Sequence, residues 1–99
     1  MATYIMLNSF TEQGIKNVKD LPGRVKSARQ TLQSMGAKVK DFYAVMGMAH
    51  KDTLIIFEAP DDETAAKAAV SIGMLGFVRT QTVRAFTEEE IKKILASLP

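Results

Sequence analysis

The chain has 99 residues, a formal net charge of +2 and six methionines, and it contains neither cysteine nor tryptophan. A chain of this length forms one domain. Its composition, with 46% hydrophobic and 24% charged residues, is typical of a folded globular protein. The lack of cysteine excludes disulfides, thiolate metal centres and cysteine nucleophiles, and we expect a cytoplasmic protein because no apolar run approaches roughly 18 residues and the N-terminus resembles no secretory signal.

The first third of the chain predicts a strand followed by a helix. Residues 3–9 form a short apolar run rich in strand formers, and residues 10–19 have the composition of a loop. Asp20 is expected to cap the helix and Pro22 lies in its first turn, where the missing N–H group is harmless. Apolar residues then recur every three or four positions until Gly36, which ends the helix.

The middle of the chain predicts a β-hairpin and a second helix. Residues 38–46 alternate between two faces, residues 47–52 supply a turn, and residues 53–59 form the third strand. Asp61 is the expected N-cap of an alanine-rich helix over residues 62–74. Small side chains allow such a helix to pack closely against a sheet.

The last quarter of the chain predicts a fourth strand and a terminal helix. Residues 77–86 have the mixed polarity of a strand, and Thr87 with Glu90 has the spacing of a capping box. The helix that follows carries a narrow apolar stripe formed by Ile91, Ile94, Leu95 and Leu98.

This order of elements, β-α-β-β-α-β with an extra C-terminal helix, predicts an α+β fold in a single domain over residues 1–99. Two βαβ units of this size most economically form one four-stranded antiparallel sheet with both main helices on one face, the ferredoxin-like arrangement.

Two strands are apolar on both faces. Residues 54–57 are hydrophobic at every position, and residues 4–7 are nearly so. An antiparallel sheet with one wet face should alternate apolar and polar residues, and two helices on one side cannot cover the other. We therefore expect a homodimer, or a higher oligomer, in which the sheets of two copies pack face to face.

Three segments resemble the GYD-domain family: residues 2–7, residues 58–63 and residues 78–90. The resemblance spans nearly the whole chain and implies a dimeric α+β barrel, but no activity, because the family is largely uncharacterised. The Gly-x-Tyr-Asp motif of the family falls at the hairpin turn, where this chain has Gly47-Met-Ala-His-Lys-Asp52 without the tyrosine. Tyr43 or His50 is the candidate substitute.

A candidate ligand site follows if polar strand residues converge on the face between two sheets. Its members are Tyr4, Asn8, Tyr43, Arg79 and Gln81. An apolar pocket with a few convergent polar groups is the usual form of a small-molecule site. Related α+β barrel enzymes imply cofactor-independent monooxygenation or isomerisation as an alternative function, with Tyr43 or His50 transferring protons and Arg79 stabilising an enolate-like charge.

The hairpin turn offers a second alternative, a copper-binding module. Met46, Met48 and His50 are spaced by two residues, and thioether and imidazole ligands suit Cu(I). The competing interpretations are an exposed turn histidine and methionines that fill the core.

No motif predicts a cofactor or a nucleic-acid partner. The chain has no glycine-rich phosphate loop, and Gly76-Phe-Val-Arg79 is a poor match to the aromatic motif of RNA-binding domains. The excess of basic residues in residues 1–40 is typical of a solvated helix face. The sequence thus favours a small homo-oligomeric domain that binds a small organic ligand or acts as an assembly or regulatory module, and it leaves open whether the protein is an enzyme.

Overall fold

A computed structural model describes all residues 1–99 as one sheet with helices on one side. The strands are β1 (Ala2–Phe10), β2 (Lys38–Ala44), β3 (Thr53–Ala59) and β4 (Val78–Ala85), and the helices are α1 (Glu12–Lys16), α2 (Leu21–Ser34), α3 (Asp62–Met74) and α4 (Glu88–Ala96). The strand order β2-β3-β1-β4, with every neighbouring pair antiparallel, confirms the ferredoxin-like prediction.

The core lies between the sheet and helices α2 and α3. Phe57, Met6 and Leu32 are its largest fully buried side chains. Ala65 and Ala68 of α3 are also buried, as expected for an alanine-rich helix that approaches the sheet closely. None of the helices combines the length and the hydrophobicity that a membrane crossing requires.

The predicted caps of α3 and α4 are confirmed. The Asp61 carboxylate accepts the Thr64 N–H at 2.8 Å. At α4, the Thr87 hydroxyl accepts the Glu90 N–H and the Glu90 carboxylate accepts the Thr87 N–H, at 3.1 and 3.0 Å. Both caps form as expected because their donors and acceptors lie only three residues apart in the sequence.

The structure corrects the prediction for residues 10–19, which are not a loop. They contain α1 and a 3-10 helix over Val18–Asp20. Asp20 precedes α2 as predicted, but its side chain makes no capping hydrogen bond. The 3-10 helix leads directly into α2 and gives Asp20 a nearly helical backbone, with φ −85° and ψ 1°, in place of the extended conformation of a side-chain cap.

Candidate functional site

The sheet face opposite α2 and α3, which we call the open face, carries two adjacent cross-strand rows of side chains. Directly paired residues of antiparallel strands point to the same side of a sheet. The strand register therefore gives one row formed by Tyr43, Leu54, Leu7 and Gln81, and a second formed by Asp41, Ile56, Ile5 and Val83. Each row has an aliphatic centre on the two middle strands.

The centre of the open face is only half-buried. Leu54 and Ile56 are partly exposed, whereas their neighbours Ile55 and Phe57, which point to the helices, are buried. Helix α4 does not provide the missing cover, because it packs extensively against no strand and its apolar side chains are exposed. The aliphatic residues of the open face therefore have no packing partner within a single chain.

The five residues predicted to bind a ligand lie on both faces of the sheet. Tyr43, Arg79 and Gln81 are exposed on the open face, and Tyr43 retains 53% of its accessible surface. Tyr4 and Asn8 are buried on the helix side. The structure brings the first three to one surface and separates them from the other two by the thickness of the sheet.

Tyr4 takes part in a polar cluster at the N-terminus of α3. Its hydroxyl donates a hydrogen bond to Asp62 Oδ1 at 2.5 Å, and its ring stacks on Phe57 with centroids 5.4 Å apart. The hydrogen bond to the Asp62 carboxylate, together with burial, raises the pKa of the Tyr4 phenol. This arrangement holds the phenol protonated and fixed in place.

Arg84 and Glu90 form an ion pair that no pattern in the sequence predicts. The guanidinium Nη2 lies 2.9 Å from Glu90 Oε2 and the guanidinium stacks over the Phe86 ring at 4.4 Å. Hydrogen bonding from Arg84 and from the Thr87 N–H lowers the pKa of Glu90 to about 2. The spacing of the capping box already pointed to Glu90. Its partner Arg84 lies outside this motif, on β4, so the spacing gave no indication of the ion pair.

The hairpin turn places Met46, Met48 and His50 around one shallow depression. His50 adopts a left-handed backbone with φ 59°, and its carbonyl accepts a hydrogen bond from the Ser9 hydroxyl. The nearby Asp52 carboxylate accepts the Phe10 N–H at 2.8 Å, which ties the turn to β1. No group of three or more histidine, aspartate or glutamate side chains is arranged to hold a metal ion.

These features define a ferredoxin-like α+β domain with one uncovered apolar sheet face. The chain belongs to the GYD domain family, whose sequence profile matches residues 4–95. This match confirms the resemblance seen in the three sequence segments.

Two proteins of Thermus thermophilus are similar to this chain. One is described as a glutamine synthetase and cystathionine beta-lyase binding protein, and it is 34% identical over 86 residues, which cover 86% of this chain and 88% of the relative. The other is TTHA0845, whose crystal structure matches with a TM-score of 0.56 and 22% identity over 88% of this chain and 95% of its own. The second similarity concerns the fold alone.

Proposed function

We propose that this protein is a homo-oligomeric assembly or regulatory module that binds other proteins, enzymes among them. The observation that carries the proposal is the pair of aliphatic rows on the open face. A relative 34% identical to this chain is described as a binding protein for two enzymes, and this description supports a binding role over a catalytic one.

A second copy of the chain is the occupant that fits the open face. In a two-fold interface, the same surface of each copy contacts its equivalent on the other copy. The aliphatic centre of the open face can meet this requirement when two sheets pack face to face, and it is formed by Ile5, Leu7, Leu54 and Ile56. Full burial of such a side chain from water is worth roughly 1.5–3 kcal/mol, and because these four are already half-buried, each gains only part of this in the interface. The flanking Tyr43, Arg79 and Gln81 provide the polar rim that surrounds the apolar centre of such interfaces.

Sedimentation velocity tests self-association with two matched substitutions. Ile56→Asp puts a charge at the centre of the open face, and we expect it to shift the oligomer to monomer at micromolar concentrations. Val70→Asp makes the same chemical change on the outer surface of α3, where the side chain is 62% exposed, and should leave the oligomer intact. A wild-type protein that is monomeric throughout this range would refute the proposed self-association.

Direct binding assays test the interaction with other proteins. Purified glutamine synthetase and cystathionine beta-lyase from the organism that encodes this chain are the first partners to measure, with an unrelated enzyme of similar charge as the control. We expect saturable binding of at least one of the two. If both fail to bind the oligomeric wild-type protein, the proposed enzyme-binding role is wrong for these partners, whatever the sedimentation result.

A further inference from the structure

The positive charge of the chain is concentrated in residues 12–34, which form α1, the 3-10 helix and α2. Of the 13 basic and 11 acidic residues of the chain, five basic and two acidic ones fall in this segment, which leaves eight basic and nine acidic ones for the rest. The excess of basic residues that gives the chain its net charge of +2 therefore belongs to one part of the surface.

Helix α2 differs from the other helices because none of its charges is paired. Helices α1, α3 and α4 each place a glutamate four residues before a lysine, with ammonium–carboxylate distances of 3.6, 3.8 and 3.7 Å. Helix α2 contains Arg24, Lys26 and Arg29 but no acidic residue, and it takes part in none of the ion pairs of the protein. Lys26 and Arg29 are neighbours on the helix surface, where like charges repel each other. The charge of α2 is thus left uncompensated by the helix itself.

The helix backbone adds to this positive potential. The N-terminus of a helix carries a partial positive charge, so acidic residues are favourable there and basic residues are favourable in the last turn. Helix α2 has no acidic residue in its first turn and no basic residue in its last turn. Arg24 and Lys26 lie in its first half instead, Lys19 precedes it in the 3-10 helix, and Asp20 is the single carboxylate of residues 17–34. The potential at this end of α2 is therefore higher than the side chains alone would produce.

Three exposed side chains, Lys19, Lys26 and Arg29, present this charge to solvent, and we call them the basic face. From the first to the last of them the chain advances about 15 Å along a helix axis. Arg24 is not part of the basic face, because its guanidinium packs over the Phe77 ring. Helix α2 lies on the side of the sheet opposite the open face, so self-association through the open face leaves the basic face accessible.

We propose that the basic face binds an acidic surface of a partner protein, whose carboxylates supply the counter-charges that α2 lacks. This inference rests on the proposed enzyme-binding function and adds the chemistry of the partner. A nucleic acid fits less well, because surfaces that bind single strands combine cations with aromatic side chains for base stacking, and residues 12–34 contain no aromatic residue. Complementary charge of this kind accelerates association and selects among partners.

Two triple variants that each remove three positive charges test the location of the binding surface. The face variant combines Lys19→Gln, Lys26→Gln and Arg29→Gln. The control variant makes the same change at exposed lysines of α3 and α4 (Lys67→Gln, Lys92→Gln and Lys93→Gln). Because glutamine favours helices about as well as lysine and arginine do, both variants should keep the wild-type fold, which circular dichroism verifies.

Surface plasmon resonance at several salt concentrations measures binding to purified glutamine synthetase and cystathionine beta-lyase from the organism that encodes this chain. We expect the association rate constant of the face variant to fall about tenfold or more and to depend less on salt, as the loss of electrostatic steering implies. The control variant should bind like the wild type. Equal rates in all three proteins, or equal losses in both variants, would overturn the proposal, because binding would then not depend on the basic face.

Poly-L-glutamate is a second probe, which separates this proposal from the choice of enzymes. If neither enzyme binds the wild-type protein, the proposed partners are wrong, but the basic face is still tested. The wild type and the control variant should bind poly-L-glutamate in low-salt buffer more tightly than the face variant does, and equal binding by all three would overturn the proposal. Poly(U) RNA competes in the same assay, and if it displaces poly-L-glutamate from the basic face at a lower monomer concentration, the partner is a nucleic acid and the proposal is wrong.

Discussion

Gly14 is the position where the structure makes the sharpest prediction for stability. A Cβ atom added to this buried glycine would lie 1.9 Å from the carbonyl oxygen of Phe77, whereas real Cβ contacts essentially never fall below 3.0 Å. The backbone of α1 or of residue 77 must therefore move by about 1.1 Å, which also disturbs the Thr11 N–H to Phe77 hydrogen bond of 3.0 Å. Overpacking of this kind costs about 1–3 kcal/mol, and a lost hydrogen bond adds about 1 kcal/mol.

We expect Gly14→Ala to lower the free energy of unfolding by about 2–4 kcal/mol, measured by urea denaturation at one fixed protein concentration. Gly23→Ala is a matched control, because Gly23 is also the third residue of its helix but has no neighbour within 4 Å of the added Cβ. Alanine there should stabilise the protein by about 0.5–1 kcal/mol. If both variants gained stability, the close approach of α1 to residue 77 would be refuted.

Two further predictions concern the core and acid stability. Phe57→Ala, at a fully buried position, should cost about 3–5 kcal/mol in urea denaturation, whereas Met74→Ala, on the exposed end of α3, should stay within about 0.5 kcal/mol of wild type. The ion pair with Arg84 lowers the pKa of Glu90 from 4.5 to about 2, so its stabilising contribution is complete above pH 4.5 and is lost between pH 4.5 and 2. Urea denaturation across this pH range should show a smaller loss of unfolding free energy for Glu90→Gln than for wild type. If the unfolding free energy depended equally on pH in the two proteins, the stabilising role of the Glu90 carboxylate would be contradicted.

The sequence alone correctly predicted those elements whose signals lie close together along the chain. The strand over residues 53–59 has the predicted bounds, and the caps at Asp61 and Thr87 form as expected, because their signals lie within a few neighbouring residues. Helix α1 was missed because five residues give too short a pattern, and its position depends on the contact of Gly14 with residue 77, which lies far away in the sequence.

Alternation along β1 predicted that Tyr4 and Asn8 share one face, and the register confirms it. It could not say which face meets the helices, because both faces of this strand carry large apolar side chains. These two residues were therefore expected on the same surface as Tyr43, whereas the structure buries them under α2 and α3. The position of Arg24 had no signal in the sequence, since a lone arginine in an amphipathic helix has the same pattern whether its guanidinium faces solvent or, as here, packs over the ring of Phe77.

The fold of a single chain explains only in part why residues 54–57 are hydrophobic at every position. Ile55 and Phe57 are buried by the helices, which both lie on one side because right-handed crossovers from a central strand place them there. Leu54 and Ile56 point away from that core and remain partly exposed. With Leu7 and Ile5, their partners on the other middle strand, they form the apolar surface that the proposed second copy would cover.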